Sequence, residues 1–372
     1  MKKCRSLLLI ACFLLSISAQ AQEVDQVLEK YRAAIAKIQT LHCQVEQLDT
    51  FVTGDVWHHT GQLTMLRAPK DSLFGFQFRA AKDVGGEALY DGLSSFEIDH
   101  KKHSYEVTPN PKKYILGSPG GQLVVEEMMV DQALEDMPTL IDAEECFVLR
   151  YSFPDLEEYD VREREKKIFL DKSTFLPTKI INRQVSLGKK QVMTRIISKV
   201  QLNRPEDRNA FQKDFLTSYA LTLEESYENI HEDLLQTQVK DFQLKTFTGQ
   251  QVSTRPQKSK ILLLDFWEVW CGPCVQSMPK VQELANKYEG EGLTVMGVLM
   301  DKNSQDSAEK LITKKGFEFT QAIGGKDIRE YFKVYAIPQY VLIDQTGTIQ
   351  HIYRGFDDEI EERIKVLLAN AK

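Results

Sequence analysis

Long apolar runs are missing from the body of this 372-residue sequence. Beyond residue 21, no stretch approaches the roughly 18 apolar residues that a membrane-spanning helix needs, which excludes a helical bilayer protein. Basic excess is missing as well. The formal net charge is -7, and setting aside Lys2, Lys3 and Arg5 leaves the remainder near −10. A chain of that balance repels phosphate backbones, and no local basic stripe offsets it, so nucleic acid is not a partner. Cysteine is sparse. Of six, Cys4 and Cys12 fall in the first 21 residues, leaving Cys43, Cys146, Cys271 and Cys274. Four cysteines in a chain of this size do not make a disulfide scaffold, so one close pair reads as chemistry. Internal repeats and low-complexity tracts are also absent. The 42% hydrophobic and 27% charged content is that of an ordinary globular protein, and the length implies two domains.

Residues 1–21 read as an export signal. Lys2, Lys3 and Arg5 form a positive start, Leu7 to Ile17 a short apolar run, and Ala19-Gln20-Ala21 a small-x-small cleavage site, so the mature chain is expected to begin at Gln22. A retained anchor is one alternative. Another is a lipoprotein signal, because Leu9-Ile10-Ala11-Cys12 has the form of a lipobox and would make Cys12 the lipidated first residue. Each places the protein in the periplasm or cell envelope, where disulfides persist.

Val24, Val27, Leu28, Tyr31, Ile35 and Ile38 share one helical face. Strand-like segments follow. Phe74, Phe76 and Phe78 alternate with Gly75 and Gln77, and Phe96 and Ile98 alternate with Glu97 and Asp99. Further runs are Phe147 to Tyr151, Lys167 to Leu170, Thr178 to Arg183 and Val192 to Val200, with short turns between them. That pattern predicts an antiparallel sheet over 22–205, interrupted by a helical interlude near Gly121 to Met137. Residues 206–235 are polar and charge-rich and read as a helical connector. From Val239 strands and helices alternate: a hairpin at Thr248-Gly249, a buried strand Ile261 to Phe266, a helix after Cys274, strand Leu293 to Leu299, helix Ser304 to Lys315, strands Tyr340 to Asp344 and Thr348 to Tyr353, and a last helix Asp358 to Ala371. Alternation of this kind predicts a mainly parallel, helix-covered sheet over 236–372.

The chemistry lies in Leu264-Asp265-Phe266-Trp267-Glu268-Val269-Trp270-Cys271-Gly272-Pro273-Cys274. A buried strand runs into C-x-x-C, and a helix starts there. Unpaired N–H groups at a helix N-terminus favour the Cys271 thiolate, the actual nucleophile. Two intervening residues let Cys274 attack a mixed disulfide on Cys271, and Pro273 is tolerated in a first helical turn. A zinc site would need a second C-x-x-C or a spaced His pair, and neither follows. A structural disulfide closing so tight a loop would gain little. Asp265, six residues before Cys271 and flanked by Leu262, Leu263, Leu264 and Phe266, is expected to be buried. This segment resembles thioredoxin, which carries a buried acid at this spacing, and the resemblance implies that Asp265, its pKa raised by burial, takes the proton from Cys274 during exchange.

Residues 236–372 resemble the TlpA/ResA-type branch of the thioredoxin superfamily. The resemblance runs through Asp241-Phe242-x-Leu244, Gly249, the Trp-bearing C-G-P-C segment, Met278-Pro279, Ile337-Pro338, Val341-Leu342-Ile343-Asp344 and Gly347. It implies a thioredoxin fold and a cis-proline loop at Ile337-Pro338, whose backbone would bind an extended substrate beside Trp270, Gly272 and Pro273. It also implies disulfide-bearing protein substrates, a membrane electron donor and no cofactor. The branch often carries a glutamate three residues after the second cysteine, where this chain has Ser277, so Asp265 takes the acid's part here. It commonly has small residues between the tryptophans, where Glu268 and Val269 stand. Glu268 disfavours the thiolate if it lies near Cys271 and is mere surface charge if it faces solvent. A peroxiredoxin would need a lone cysteine in a Thr/Ser-bearing loop, which this segment does not supply.

Residues 22–205 resemble the LolA/LolB-like lipoprotein-carrier fold, an antiparallel half-barrel closed by helices. The resemblance rests on the leading helix, Tyr90-Asp91-Gly92 with Phe96-Glu97-Ile98-Asp99, and Leu170-Asp171-Lys172 with Leu176-Pro177-Thr178. It implies lipid or an envelope protein as a partner; the plainer reading is a docking or spacer module. Cys43 and Cys146 are expected on strands, either paired, as free buried thiols, or as a redox partner for Cys271. His58, His59, His100 and His103 read as surface residues rather than a metal site, and the three phenylalanines as core. The expected whole is an α+β half-barrel domain followed by an α/β thioredoxin fold. A Cys-Gly-Pro-Cys pair resembles reducing thioredoxins, with potentials of about −270 mV, so the expected activity is disulfide reduction.

Overall fold

The computed structural model describes residues 22–131, 137–222, 230–256 and 260–371. Residues 1–21, read above as an export signal and including Cys12, lie outside them. Helix α1 covers 22–36. The strands of the first sheet are β1 (Thr40–Thr50), β2 (Val56–Arg67), β3 (Phe76–Lys82), β4 (Gly86–Tyr90), β5 (Ser94–Asp99), β6 (Ser104–Pro109), β7 (Thr139–Asp142), β8 (Cys146–Phe153), β9 (Val161–Asp171), β10 (Pro177–Ser186), β11 (Lys189–Leu202) and β12 (Ala220–Leu221). Their order is β12-β6-β5-β4-β3-β2-β1-β11-β10-β9-β8-β7. Every pairing is antiparallel except β12 with β6.

Period-two burial sets one face of this sheet inward. In β1, Leu41, Cys43 and Val45 are buried, and in β3, Phe76, Phe78 and Ala80. The apolar face of α1 joins that core, together with Phe74. Arg67 pins the helix end by donating to the carbonyls of Ile35 and Ile38. The helical interlude is instead a set of 3-10 turns, Lys113–Gly117, Gly121–Leu123 and Glu126–Met128, while 132–136 lie outside the described residues. Their close approach to the sheet uses Gly120, where a Cβ would come within 2.3 Å of the Ala80 carbonyl oxygen.

The segment read as a helical connector also differs. Pro205–Phe211 and Asp214–Ser218 are 3-10 turns, and β12 adds to the sheet edge. Leu216 packs with Leu89, Phe96 and Ile98, so an apolar contact drew this charged stretch onto the first sheet. Cys43 and Cys146 are free. They sit on β1 and β8 with three strands between, roughly 19 Å at about 4.8 Å per strand, far beyond the about 7 Å a disulfide spans.

The second sheet holds β13 (Gln243–Thr246), β14 (Gln251–Ser253), β15 (Ile261–Trp267), β16 (Leu293–Leu299), β17 (Thr320–Ile323), β18 (Gln339–Asp344) and β19 (Ile349–Arg354), in the order β14-β13-β17-β16-β15-β18-β19. It is mixed rather than mainly parallel: only β15–β16 and β16–β17 run parallel. The hairpins at Gly249 and Gly347 pair neighbouring strands antiparallel, and β18 enters beside β15 in the opposite direction. Helices α2 (Gly272–Tyr288), α3 (Gln305–Lys315) and α5 (Glu359–Asn370) cover one face, with Leu263 and Trp267 of β15 in their core. Leu262, Leu264 and Phe266 face the other core, with Phe242, Phe332 and Ile328 of α4 (Lys326–Tyr331). Residues of β15 are buried throughout, as expected for a central strand covered on both faces.

Candidate redox site

β15 ends at Trp267, and four residues later the chain turns into α2 with Cys271 as its N-cap. The Cys271 Sγ accepts the backbone N–H of Cys274 at 3.2 Å, and Cys271 and Cys274 are joined as a disulfide. A 17-residue helix thus aims its free N–H groups at the first sulfur. Cys271 is 5% exposed and Cys274 1%, while Trp270 beside them is 59% exposed. Gly272 and Pro273 occupy the first helical turn. Pro338 follows a cis peptide bond from Ile337 and leads into β18. Because Gln339 pairs with Phe266, this loop reaches the same end of β15 as the cysteines.

Asp265 is 1% exposed, and neither of its oxygens has a hydrogen-bond partner. Strand alternation places it with Leu263 and Trp267, on the face that carries α2. Burial pushes its pKa up to about 8. The neighbouring Tyr340 is raised as well, by burial first and then by the Asp265 charge. Tyr340 and Ser277 of α2 share a hydrogen bond of 2.7 Å, and the Ser277 hydroxyl also lies 2.9 Å from the Cys274 carbonyl oxygen. Ser277 therefore ties α2 to β18. Trp267 donates its indole N–H to Gln321 at 3.0 Å, fixing the strand end under the active-site turn.

Glu268 resolves the choice the sequence left open. It is buried, 3% exposed, with the backbone N–H groups of Asp301 and Val269 and the Ser304 hydroxyl beside its carboxylate. Burial raises its pKa to about 7, against the opposing hydrogen bonds from Asp301, Val269 and Ser304. Its backbone carbonyl accepts the Cys271 N–H at 3.1 Å. Sequence gave no sign of this burial, since strand alternation ends at Trp267. Nor did it signal Val52, Tyr159 and Leu187 of the first sheet, which pack against the apolar cluster containing Cys271. No cluster of three or more His, Cys, Asp or Glu able to hold a metal occurs among the described residues. His100 bridges Tyr219 and Glu87, at 2.8 and 2.9 Å.

Residues 235–352 match the AhpC/TSA family. Thioredoxin-like protein YneN of Bacillus subtilis is 34% identical over 122 residues, 32% of this chain and 70% of the relative. Thiol-disulfide oxidoreductase ResA of Bacillus thuringiensis subsp. konkukian is 31% identical over 130 residues, 34% of this chain and 73% of the relative. Among solved structures, a thiol:disulfide interchange protein DsbE from Chlorobium tepidum has 30% identity and a TM-score of 0.33, over 37% of this chain and 96% of that one. StoA from Bacillus subtilis has 23% identity and a TM-score of 0.30, over 34% of this chain and 96% of that one. With its AhpC/TSA domain over 235–352, this chain belongs to the ResA-like, thioredoxin-fold thiol–disulfide oxidoreductases.

Proposed function

We propose that this chain is an exported protein disulfide reductase whose dithiol is Cys271 and Cys274. The observation that carries the reading is Cys271 as the N-cap of α2, with Cys274 in the same first turn. In the reduced protein the Cys271 thiolate attacks one sulfur of a substrate disulfide. A Cys271–substrate disulfide forms, and the other substrate sulfur leaves as a thiolate that takes a proton from water. Asp265, as carboxylate, accepts the Cys274 proton, and the Cys274 sulfur attacks Cys271. The Cys271–Cys274 disulfide forms, the first substrate sulfur leaves, and two electrons have passed to the substrate. Trp270, Gly272, Pro273, Ile337 and Pro338 form the surface that receives the substrate backbone. A membrane electron donor returns the pair to the dithiol.

The N-terminal signal supports placement in the periplasm or cell envelope. The mass of the mature protein tests this: a chain starting at Gln22 supports cleavage, and lipid on Cys12 replaces it with a lipoprotein. The second reading, a half-barrel over 22–205 that carries lipid or an envelope protein, has less behind it. The cavity of ≈ 370 Å³ in that region has a mostly apolar lining that includes Phe51, Trp57, Val125 and Ile180, with Asp49 and Arg195 among the charged groups that an acyl chain would leave desolvated. The first test is the reduction potential of Cys271/Cys274, read from the fraction reduced across dithiothreitol buffers. A value near about −270 mV supports a reductase, and one near about −120 mV makes the protein a disulfide donor.

A further inference from the structure

Three turns at one end of the first sheet close over the redox face. Val52 of the β1–β2 turn and Leu187 of the β10–β11 turn are buried in the same apolar cluster as Cys271, Val275 and Met278. The Tyr159 hydroxyl accepts a hydrogen bond from the Gln276 amide of α2. Asp160 pairs with Lys314 of α3 at 2.6 Å. Beside this contact a cleft of ≈ 1000 Å³ opens between the two regions. Phe51 and Trp57 form one wall and Trp270, Tyr335 and Ile337 the other.

Four features of the cleft point to one kind of occupant. It begins at the residue before Cys271 and the residue before Pro338, so whatever fills it lies next to the reacting sulfur. Trp57, Trp270 and Tyr335 are exposed large apolar side chains gathered in this one place, the residue types that anchor protein partners. Its volume stands at the top of the range for small-ligand sites, about 300–1,000 Å³, which suits an elongated occupant. Asp55 lines one side of the cleft, and Lys326 and Arg329 line the other. Polar and charged groups of this kind seek the N–H groups and side chains of a polypeptide and penalise an acyl chain.

We propose that this cleft binds an extended, apolar polypeptide segment flanking the substrate disulfide. The N-terminal region, through Phe51 and Trp57, thereby selects which disulfides reach Cys271. The inference rests on the reductase reading and names its substrate-recognition surface.

The test uses the mature chain, recycled by dithiothreitol, and a disulfide-closed synthetic peptide with Leu and Phe beside its cysteines, followed as reduced peptide formed above the dithiothreitol-only background. Trp57→Ala is expected to raise KM for this peptide about tenfold with kcat changed less than about twofold. Asp55→Lys, at an exposed position on the same wall, is expected to shift preference about threefold toward peptides with acidic flanks. Leu93→Ala, an exposed side chain in a different turn of the first sheet, leaves both parameters alone. An unchanged KM in Trp57→Ala together with an unchanged flank preference in Asp55→Lys overturns the cleft assignment and leaves the dithiol chemistry standing. A wild-type protein that forms no reduced peptide above that background overturns the reductase reading itself, and the cleft assignment with it.

Discussion

Buried charge is handled in opposite ways by the two sheets. In the first, Asp49 meets Arg195 at 2.6 Å, Glu87 meets Arg79 at 2.7 Å and His100 at 2.9 Å, and Lys166 meets Glu127 at 2.5 Å. In the second, Asp265 is buried with no hydrogen-bond partner for either oxygen. A buried, unpaired carboxyl destabilises a fold by several kcal/mol unless it holds its proton. Evolution of a purely structural domain would pair it or remove it. The contrast therefore separates scaffold from chemistry: paired charges orient strands, and the unpaired Asp265 carboxyl lies in the strand that leads into the redox turn.

The largest expected effect comes from the pair itself. Cys271→Ser drops peptide-disulfide turnover to the uncatalysed background, and Cys274→Ser accumulates a mixed disulfide on Cys271 visible by mass spectrometry. If Cys271→Ser keeps its turnover, the redox turn is not the working site and the contrast loses its functional meaning.

Asp265→Asn sharpens the comparison next. It is expected to slow the resolving step about a hundredfold at neutral pH. In the wild type this step speeds up as pH rises toward 8, where the carboxyl ionises, and in the variant that dependence disappears. Stability moves the other way. The folded-state pKa lies above the unfolded one, so the protonated carboxyl's contribution is complete below about pH 4 and is lost as pH rises through 8. Over that window the variant should gain on the wild type by about 1.4 kcal/mol per pH unit in denaturant titrations. A gap that stays flat from pH 4 to 8 means that Asp265 is solvated or paired.

On the scaffold side, Asp49→Ala strands Arg195 and is expected to cost about 3–5 kcal/mol in urea unfolding, with no change in the reduction potential of Cys271/Cys274. A shift in potential would show that the two sheets do not divide their labour. The smallest effect concerns Cys43. Burial pushes its thiol up to about 12, so iodoacetamide should label it only after unfolding, while the reduced redox pair reacts in the native protein. Native labelling at Cys43 would place it among the reactive thiols.

Much of the second sheet was legible because its signals are local. The Ile261–Trp267 run, the Gly turns and the C-G-P-C segment each act within a few residues, and the observed strands and helices lie close to those read from pattern. Strand direction was not legible. Whether β18 runs with or against β15 depends on where the chain crosses, which no window of sequence contains. In the first sheet, β10 and β11 follow their apolar pattern, whereas the 3-10 turns of Lys113–Met128 exist only because Gly120 lets them press on the strands. Leu216 likewise drew a charged stretch onto that sheet by a contact distant in sequence.

The sequence by itself determined the redox pair, because a strand running into Cys-Gly-Pro-Cys at a helix start contains its own chemistry, and it determined that Asp265 is buried, because leucines and a phenylalanine surround it. Tertiary structure alone decided that Cys43 and Cys146 stand apart, that Glu268 is buried, and that Phe51 and Trp57 face Trp270 across one cleft. These are relations between segments more than 80 residues apart in several cases. Burial and proximity at that range are set by how two sheets pack, and packing depends on all the residues at the contact rather than on any one run of them.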